Sequence, residues 1–105
     1  MTERVVVCRV DDLASGEARR FEVDSTRIAL VRIADEFFAL SDRCSHEDYS
    51  LSDGEVWADE CEIECPRHGS MFDLRTGEAC SLPATKPVAK YEVEVAGGDV
   101  TVVLP

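Results

Sequence analysis

The chain has 105 residues, 45% hydrophobic, enough for one globular domain with a modest core, and its 22 acidic against 11 basic residues give a formal charge of −11, which disfavours nucleic acid and anionic membrane as partners. No apolar run approaches a membrane span, and the opening Met1-Thr2-Glu3-Arg4-Val5-Val6-Val7 lacks the h-region and cleavage site of a signal peptide. Five cysteines, an odd number, without a secretion signal fit reduced thiols in a cytoplasmic protein rather than a disulfide framework.

Residues 5–10, Val-Val-Val-Cys-Arg-Val, are mostly β-branched and predict a first strand. Asp11-Asp12-Leu13-Ala14-Ser15-Gly16 predicts a capped helical turn closed by glycine, too short for a helix. Residues 18–23 form a second strand with Phe21 and Val23 on one face. Asp24-Ser25 turns into a third strand over 27–33, and Ala34-Asp35-Glu36 turns into Phe37-Phe38-Ala39-Leu40. Leu51-Ser52-Asp53-Gly54 is a turn, Val56-Trp57 a short strand and Glu62-Ile63-Glu64 another. Met71-Phe72-Asp73-Leu74 continues the pattern, and Arg75-Thr76-Gly77-Glu78 turns the chain again. Within the proline-rich piece at 81–87, Pro83 by itself reads as a plain turn residue. Tyr91, Val93 and Val95 alternate with Glu92 and Glu94 as a half-buried strand, and Ala96-Gly97-Gly98-Asp99 is a hairpin turn into 100–104. Neither a repeat nor a sustained 3.6-residue period appears, so the fold class is all-β. Residues 1–40 and 88–105 would form a basal antiparallel sandwich or small barrel, with 41–87 inserted into it.

Two half-motifs carry the chemistry. Cys44-Ser45-His46 and Cys65-Pro66-Arg67-His68 each offer one thiol and one imidazole, separated by eighteen residues, 47 to 64, and together they use both histidines of the chain. Such a set suits two adjacent metal atoms of different character. One iron takes Cys44 and Cys65 and the other takes His46 and His68, the arrangement in which two His replace two Cys at one iron of a [2Fe–2S] cluster. A structural zinc is the competing reading, since two Cys with two His is a common zinc set. Its usual order is Cys, Cys, His, His, whereas here the types alternate and Cys-x-His is tighter than the usual knuckle. A four-thiolate cluster drawing on Cys8, Cys61 or Cys80 lacks C-x₄-C-x₂-C spacing. The plain alternative is that lone cysteines are core residues and lone histidines are satisfied locally.

With these loops the chain resembles the Rieske-type [2Fe–2S] ferredoxins, carriers for bacterial ring-hydroxylating dioxygenase systems. The resemblance covers nearly all of the chain: Cys44-Ser45-His46, Leu51-Ser52-Asp53-Gly54, Cys65-Pro66-Arg67-His68-Gly69-Ser70, Phe72-Asp73, Thr76-Gly77 and Leu82-Pro83-Ala84. It implies a single domain over 1–105 with a cluster-binding part at 41–87, both ligand loops at its tip, and one cluster on Cys44, His46, Cys65 and His68. It also implies that Leu82-Pro83-Ala84 covers the cluster as a third loop. Tyr49, Arg67, Gly69, Ser70, Phe72 and Pro83 are then expected around the centre. High-potential members of the wider family carry a disulfide where Tyr49 and Arg67 stand here. They also have a Ser and a Tyr whose hydroxyls bond to sulfur; Ser70 keeps the first, and Phe72 lacks the second.

Two Fe(III), two sulfides and two thiolates with neutral imidazoles sum to zero, against −2 for an all-Cys cluster. Adding an electron is therefore easier than in plant-type ferredoxins. The missing disulfide, Phe72, and the charges of Glu47 and Asp48 beside His46 favour the low end of the Rieske range, about −150 mV. Cys8 reads as core, Cys61 would compete for iron only in a damaged apo-protein, and no spacing gives Cys80 a role. With both histidines committed, no 2-His-1-carboxylate site is possible, and no Gly-x-Gly-x-x-Gly is present. The expectation is a monomeric one-electron carrier, not an enzyme, between a flavin-dependent reductase and a terminal oxygenase, docking at the cluster tip. A small accessory subunit of an assimilatory nitrite reductase, a cluster-assembly partner and a zinc module are the alternatives.

Overall fold

In the computed structural model, which describes residues 3–23, 25–43, 49–66, 69–81 and 86–104, the unbroken apolar run Ile28-Ala29-Leu30-Val31 has no exposure at all. It lies in β3 (Thr26–Ile33), where successive side chains point to opposite faces. An unbroken run therefore needs cover on both sides. Ile28 and Leu30 pack with Leu13, Ala39, Val100, Val102 and Leu104, whereas Ala29 and Val31 pack with Leu40, Leu51, Ile63, Phe72 and Leu74. The neighbouring strand β4 (Glu36–Ser41) divides in the same way, Ala39 to the first core and Leu40 to the second. The pair is a wall between a basal core and a second core, the one on which the expected metal loops rest.

The basal core is enclosed by β1 (Glu3–Arg9), β2 (Ala18–Val23), β3, β4, β8 (Lys90–Ala96) and β9 (Asp99–Leu104), joined antiparallel in the order β1-β9-β8-β4-β3-β2. β4 and β8 share only Ala39↔Tyr91 and Leu40↔Lys90, and the sheet as a whole curls into a half-barrel, matching the expected all-β class. Beyond the wall, β5 (Val56–Trp57), β6 (Glu62–Glu64) and β7 (Met71–Asp73) form a separate three-stranded antiparallel sheet. Its inward residues, Ile63 and Phe72, fill the second core. No helix among the described residues is long and apolar enough to cross a membrane.

Two local expectations change, and one local feature is added. The first strand stops at Arg9 and Val10–Asp12 is a 3-10 turn. The Arg9 amide donates to the Asp12 carboxylate (2.9 Å) and the Val10 amide to the Gly98 carbonyl (2.9 Å), which outweighs the β preference of Val10. The β1–β9 register slips between Val6 and Cys8, and this bulge turns both Val7 and Cys8 toward the basal core. Val95, expected to be half-buried, is 49% exposed: its pairing with Val100 keeps the β8–β9 register, but it does not pack on the basal core as Tyr91 and Val93 do. That hairpin turns through Gly97 (φ +60°) and Gly98 (φ +84°), the two left-handed positions of a type I′ turn.

Candidate metal centre

Each expected metal loop has a base tied by hydrogen bonds. Where β4 ends, Asp42 is wholly buried and its amide donates to the Arg27 carbonyl (3.0 Å). From the other end of the loop, Leu51 donates its amide to the Asp42 carbonyl and Ser52 donates its amide to Asp42 Oδ1, both at 2.8 Å. Arg43 and Ser50 form an antiparallel bridge just above. Leu51, wholly buried, anchors the returning chain in the second core. Asp42 Oδ2 has no hydrogen-bond partner among the described residues.

The second loop grows out of β6. Glu62, Ile63, Glu64 and Cys65 alternate, which sends Ile63 and Cys65 inward; Cys65 is 2% exposed and lies in the same cluster as Leu51, Ile63 and Phe72. The Cys65 amide donates to the Ser70 carbonyl (2.7 Å), and the Gly69 amide donates to the Cys65 carbonyl (3.1 Å). Gly69 has φ +74°, a conformation in which a side chain would be strained. Ser70 is buried at 1% exposure. The bases of the two loops meet. The Glu64 amide donates to the Glu55 carbonyl (2.8 Å), and a Cβ at Gly54 would sit 1.6 Å from the Glu64 carbonyl oxygen.

A third segment leaves from the same place. Cys80 donates its amide to the Met71 carbonyl (2.7 Å), and Met71 donates its amide to Ser81 Oγ (2.9 Å). The segment returns where the Val88 amide donates to the Gly77 carbonyl (2.8 Å). Residues 81–87 thus begin beside Met71, one residue after Ser70.

Of the residues singled out in the sequence, Cys65, Gly69, Ser70, Phe72 and Tyr49 are described. The first four surround the closed base of the second loop, with Phe72 wholly buried, while Tyr49 is 39% exposed. Cys44, His46, Arg67, His68 and Pro83, with Glu47, Asp48, Leu82 and Ala84, lie outside the described residues. Among the described residues no three His, Cys, Asp or Glu gather as a metal site, as expected when three of the four proposed ligands lie outside them. The described part suits a buried iron–sulfur group. A soft thiol is fixed at the end of a strand beside a buried hydroxyl, and both loop bases rest on one apolar wall.

Three contributors escaped sequence reasoning: Asp42, the close approach at Gly54, and a hydrogen bond from Trp57 Nε1 to Glu64 Oε1 (3.0 Å). A carboxylate directly after an apolar strand was the only local sign of the first.

The remaining thiols, Cys8, Cys61 and Cys80, are in no disulfide. Cys61 is 4% exposed inside the second core, and burial pushes its thiol above the ordinary 9.0. That opposes the thiolate needed to capture iron. Cys80 is exposed, yet partial burial first, then the Glu62 and Asp73 carboxylates, raise its thiol too. Its alkylation by iodoacetamide at pH 7.5 is therefore expected to be slower than that of the unfolded chain. The rate should keep rising as pH passes 9, because the folded thiol holds its proton to higher pH than the unfolded one. Mass spectrometry of the labelled peptide checks this; a rate equal to the unfolded chain's would refute it.

A family profile described as the Rieske [2Fe-2S] domain matches residues 3–92. The 3-phenylpropionate/cinnamic acid dioxygenase ferredoxin subunit of Escherichia coli (strain K12) is 45% identical over 102 residues, 97% of this chain and 94% of that one. The ferredoxin of carbazole 1,9a-dioxygenase from Nocardioides aromaticivorans IC177 superposes with a TM-score of 0.92 at 39% identity, covering 94% and 95% of the two chains. The ferredoxin in a complex of reduced oxygenase and oxidized ferredoxin of carbazole 1,9a-dioxygenase gives 0.86 at 40% identity, covering 93% and 99%. A putative nitrite reductase small subunit from Mycobacterium tuberculosis, at 21% identity and a TM-score of 0.88, shares the fold alone.

Proposed function

This chain belongs to the Rieske [2Fe-2S] domain family, and from that membership we propose that it is the ferredoxin of a ring-hydroxylating dioxygenase system. It takes one electron at a time from a flavin-dependent reductase and delivers it to a terminal oxygenase. It is an electron-transfer component and catalyses nothing itself. The observation that carries this reading is near-full-length likeness to dioxygenase ferredoxins, in sequence at 45% identity and in fold at a TM-score of 0.92. A related ferredoxin has been seen bound to its oxygenase, which supports the same kind of partner here. The nitrite reductase alternative has only the fold behind it.

Cys44, His46, Cys65 and His68 would hold the cluster, Cys65 from the end of β6 and the others from the two loops. Bound there, a Rieske [2Fe–2S] centre supplies one reversible electron at a potential above that of all-Cys ferredoxins. The protein's part is to hold the ligands still and keep water away. The amide bonds between Cys65, Gly69 and Ser70 fix the second loop, and Leu51, Ile63 and Phe72 seal its underside. The two cores support a division into a basal part, 1–40 and 88–105, and a cluster-binding part, 41–87. Docking is at the tip of the latter, by a monomer whose charge of −11 draws a basic partner surface over long range.

Iron and sulfide analysis tests the centre. The purified protein should contain about two irons and two acid-labile sulfides, and Cys65→Ser or His68→Ala should lose them. One tightly bound zinc without sulfide would overturn the reading. The potential gives a further check. Phe72 is wholly buried in the cluster of side chains that holds Cys65, so Phe72→Tyr adds a hydroxyl close to a ligand sulfur. Protein-film voltammetry should place the wild type low in the Rieske range and Phe72→Tyr above it; a wild-type midpoint above zero would contradict the argument.

A further inference from the structure

We propose that Glu64, held in place by Trp57, is a fixed negative charge that lowers the reduction potential of the metal centre. The inference rests on the reading above, in which Cys65 is a ligand. Its geometry comes from the small sheet. Cys65 points into the core, so its neighbour Glu64 points to the outer face. In the β5–β6 register Trp57 stands opposite Glu62 and Val56 opposite Ile63, which makes Trp57 the diagonal neighbour of Glu64, within reach of a long side chain. The indole Nε1–H donates to Glu64 Oε1 at 3.0 Å. The second oxygen faces the ligand loop, since a Cβ at Gly69 would lie 3.6 Å from Glu64 Oε2. The carboxylate is therefore pinned between Trp57 and the loop that Cys65 opens. Among the described residues it forms no ion pair.

The backbone reinforces the placement. The Glu64 amide donates to the Glu55 carbonyl, and its carbonyl abuts Gly54, so the residue cannot drift from the loop. A hydrogen bond to an indole leaves the negative charge intact, whereas an arginine or lysine partner would cancel it. A negative charge fixed beside the centre disfavours adding an electron there, so its removal must raise the midpoint. Glu64 is a positioning residue in this role: it acts on the ligands' surroundings and needs no contact with the reacting partner.

The test is the midpoint potential, at fixed pH and ionic strength, of wild type, Glu64→Gln, Trp57→Phe and the basal-sheet control Glu92→Gln. Glu64→Gln keeps an oxygen that can accept the indole hydrogen and removes only the charge. It should raise the midpoint. Trp57→Phe, which releases the carboxylate to water, should raise it less, and Glu92→Gln should leave it nearly unchanged. Trp57 is the only tryptophan of the chain, so its emission reports the contact without the cluster: retained in apo Glu64→Gln, altered in apo Glu64→Ala. An intact cluster by visible circular dichroism with an unchanged midpoint in Glu64→Gln overturns the inference. If Glu64→Gln fails to load, Trp57→Phe decides, a rise supporting the inference and no change overturning it. A Cys65→Ser protein with its cluster intact would instead overturn the ligand assignment, a separate failure.

Discussion

Gly54→Ala is expected to lower the melting temperature by more than about 10 °C and to strip the protein of most of its iron. The added methyl would lie 1.6 Å from the Glu64 carbonyl oxygen, 2.8 Å from its carbon and 3.2 Å from the Leu51 carbonyl oxygen. All three are backbone atoms, so no side chain can swing aside. Gly54 itself has φ −87°, an ordinary value; what the position requires is space. Relief demands that β6 or the 51–53 turn move, which breaks the bond from the Glu64 amide to the Glu55 carbonyl and displaces Cys65 at the next position. Such a backbone clash belongs among the severe single substitutions, about 3 kcal/mol or more, and each kcal/mol is roughly 4–8 °C in a domain of this size. Gly16→Ala is the control. Its φ is +86° but nothing lies within 4 Å of the new methyl, so only the left-handed backbone penalty of about 1 kcal/mol applies. Thermal melts of the apo-proteins and iron content of the loaded ones separate the two; equal losses would show that the contact at Glu64 is not what matters.

The contrast shows which parts of this molecule can be read along the chain. Residues 18–23 form a strand with the boundaries that the alternation predicted, because one face is apolar and the turns on either side are polar. Ile28-Ala29-Leu30-Val31 was also legible as a strand, but its role as a wall was not. A short apolar run looks the same whatever covers its second face, and here the cover comes from Leu51, Ile63 and Phe72, far along the chain. The bulge at Val7 was hidden for a related reason: both Val7 and Cys8 are apolar, so nothing in the pattern shows which is the extra residue. At the centre, thiol and imidazole chemistry made the ligand set readable as a proposal. The residues that hold the loops in place were not readable. Gly54 looks like any turn glycine until Glu64 is set against it, and the Trp57–Glu64 bond exists only because β5 and β6 pair in one register. Positions whose chemistry is intrinsic can be read from sequence; positions whose importance comes from a distant neighbour need the fold.

Asp42 is of the second kind, and its replacement should separate loop closure from charge. Asp42→Ala removes the acceptor of the Ser52 amide in a wholly buried place. Leaving the Ser52 amide without a partner in that part-buried bond costs at most about 1–3 kcal/mol. The bond from the Leu51 amide to the Asp42 carbonyl survives the change, so the base of the first loop should loosen without opening fully. The consequence to expect is a melting temperature lower by about 4–8 °C for each kcal/mol lost, with iron released to a chelator several times faster. Asp42→Asn keeps an oxygen in the place of Oδ1 and should close the loop nearly as well. Its amide nitrogen replaces Oδ2, the atom without a hydrogen-bond partner among the described residues, so the exchange breaks no hydrogen bond at that atom. If the carboxylate matters as a hydrogen-bond acceptor at the loop base, Asn rescues iron retention and Ala does not. If Asn releases iron as fast as Ala, the negative charge of Asp42, and not its bond to Ser52, is what the first loop depends on.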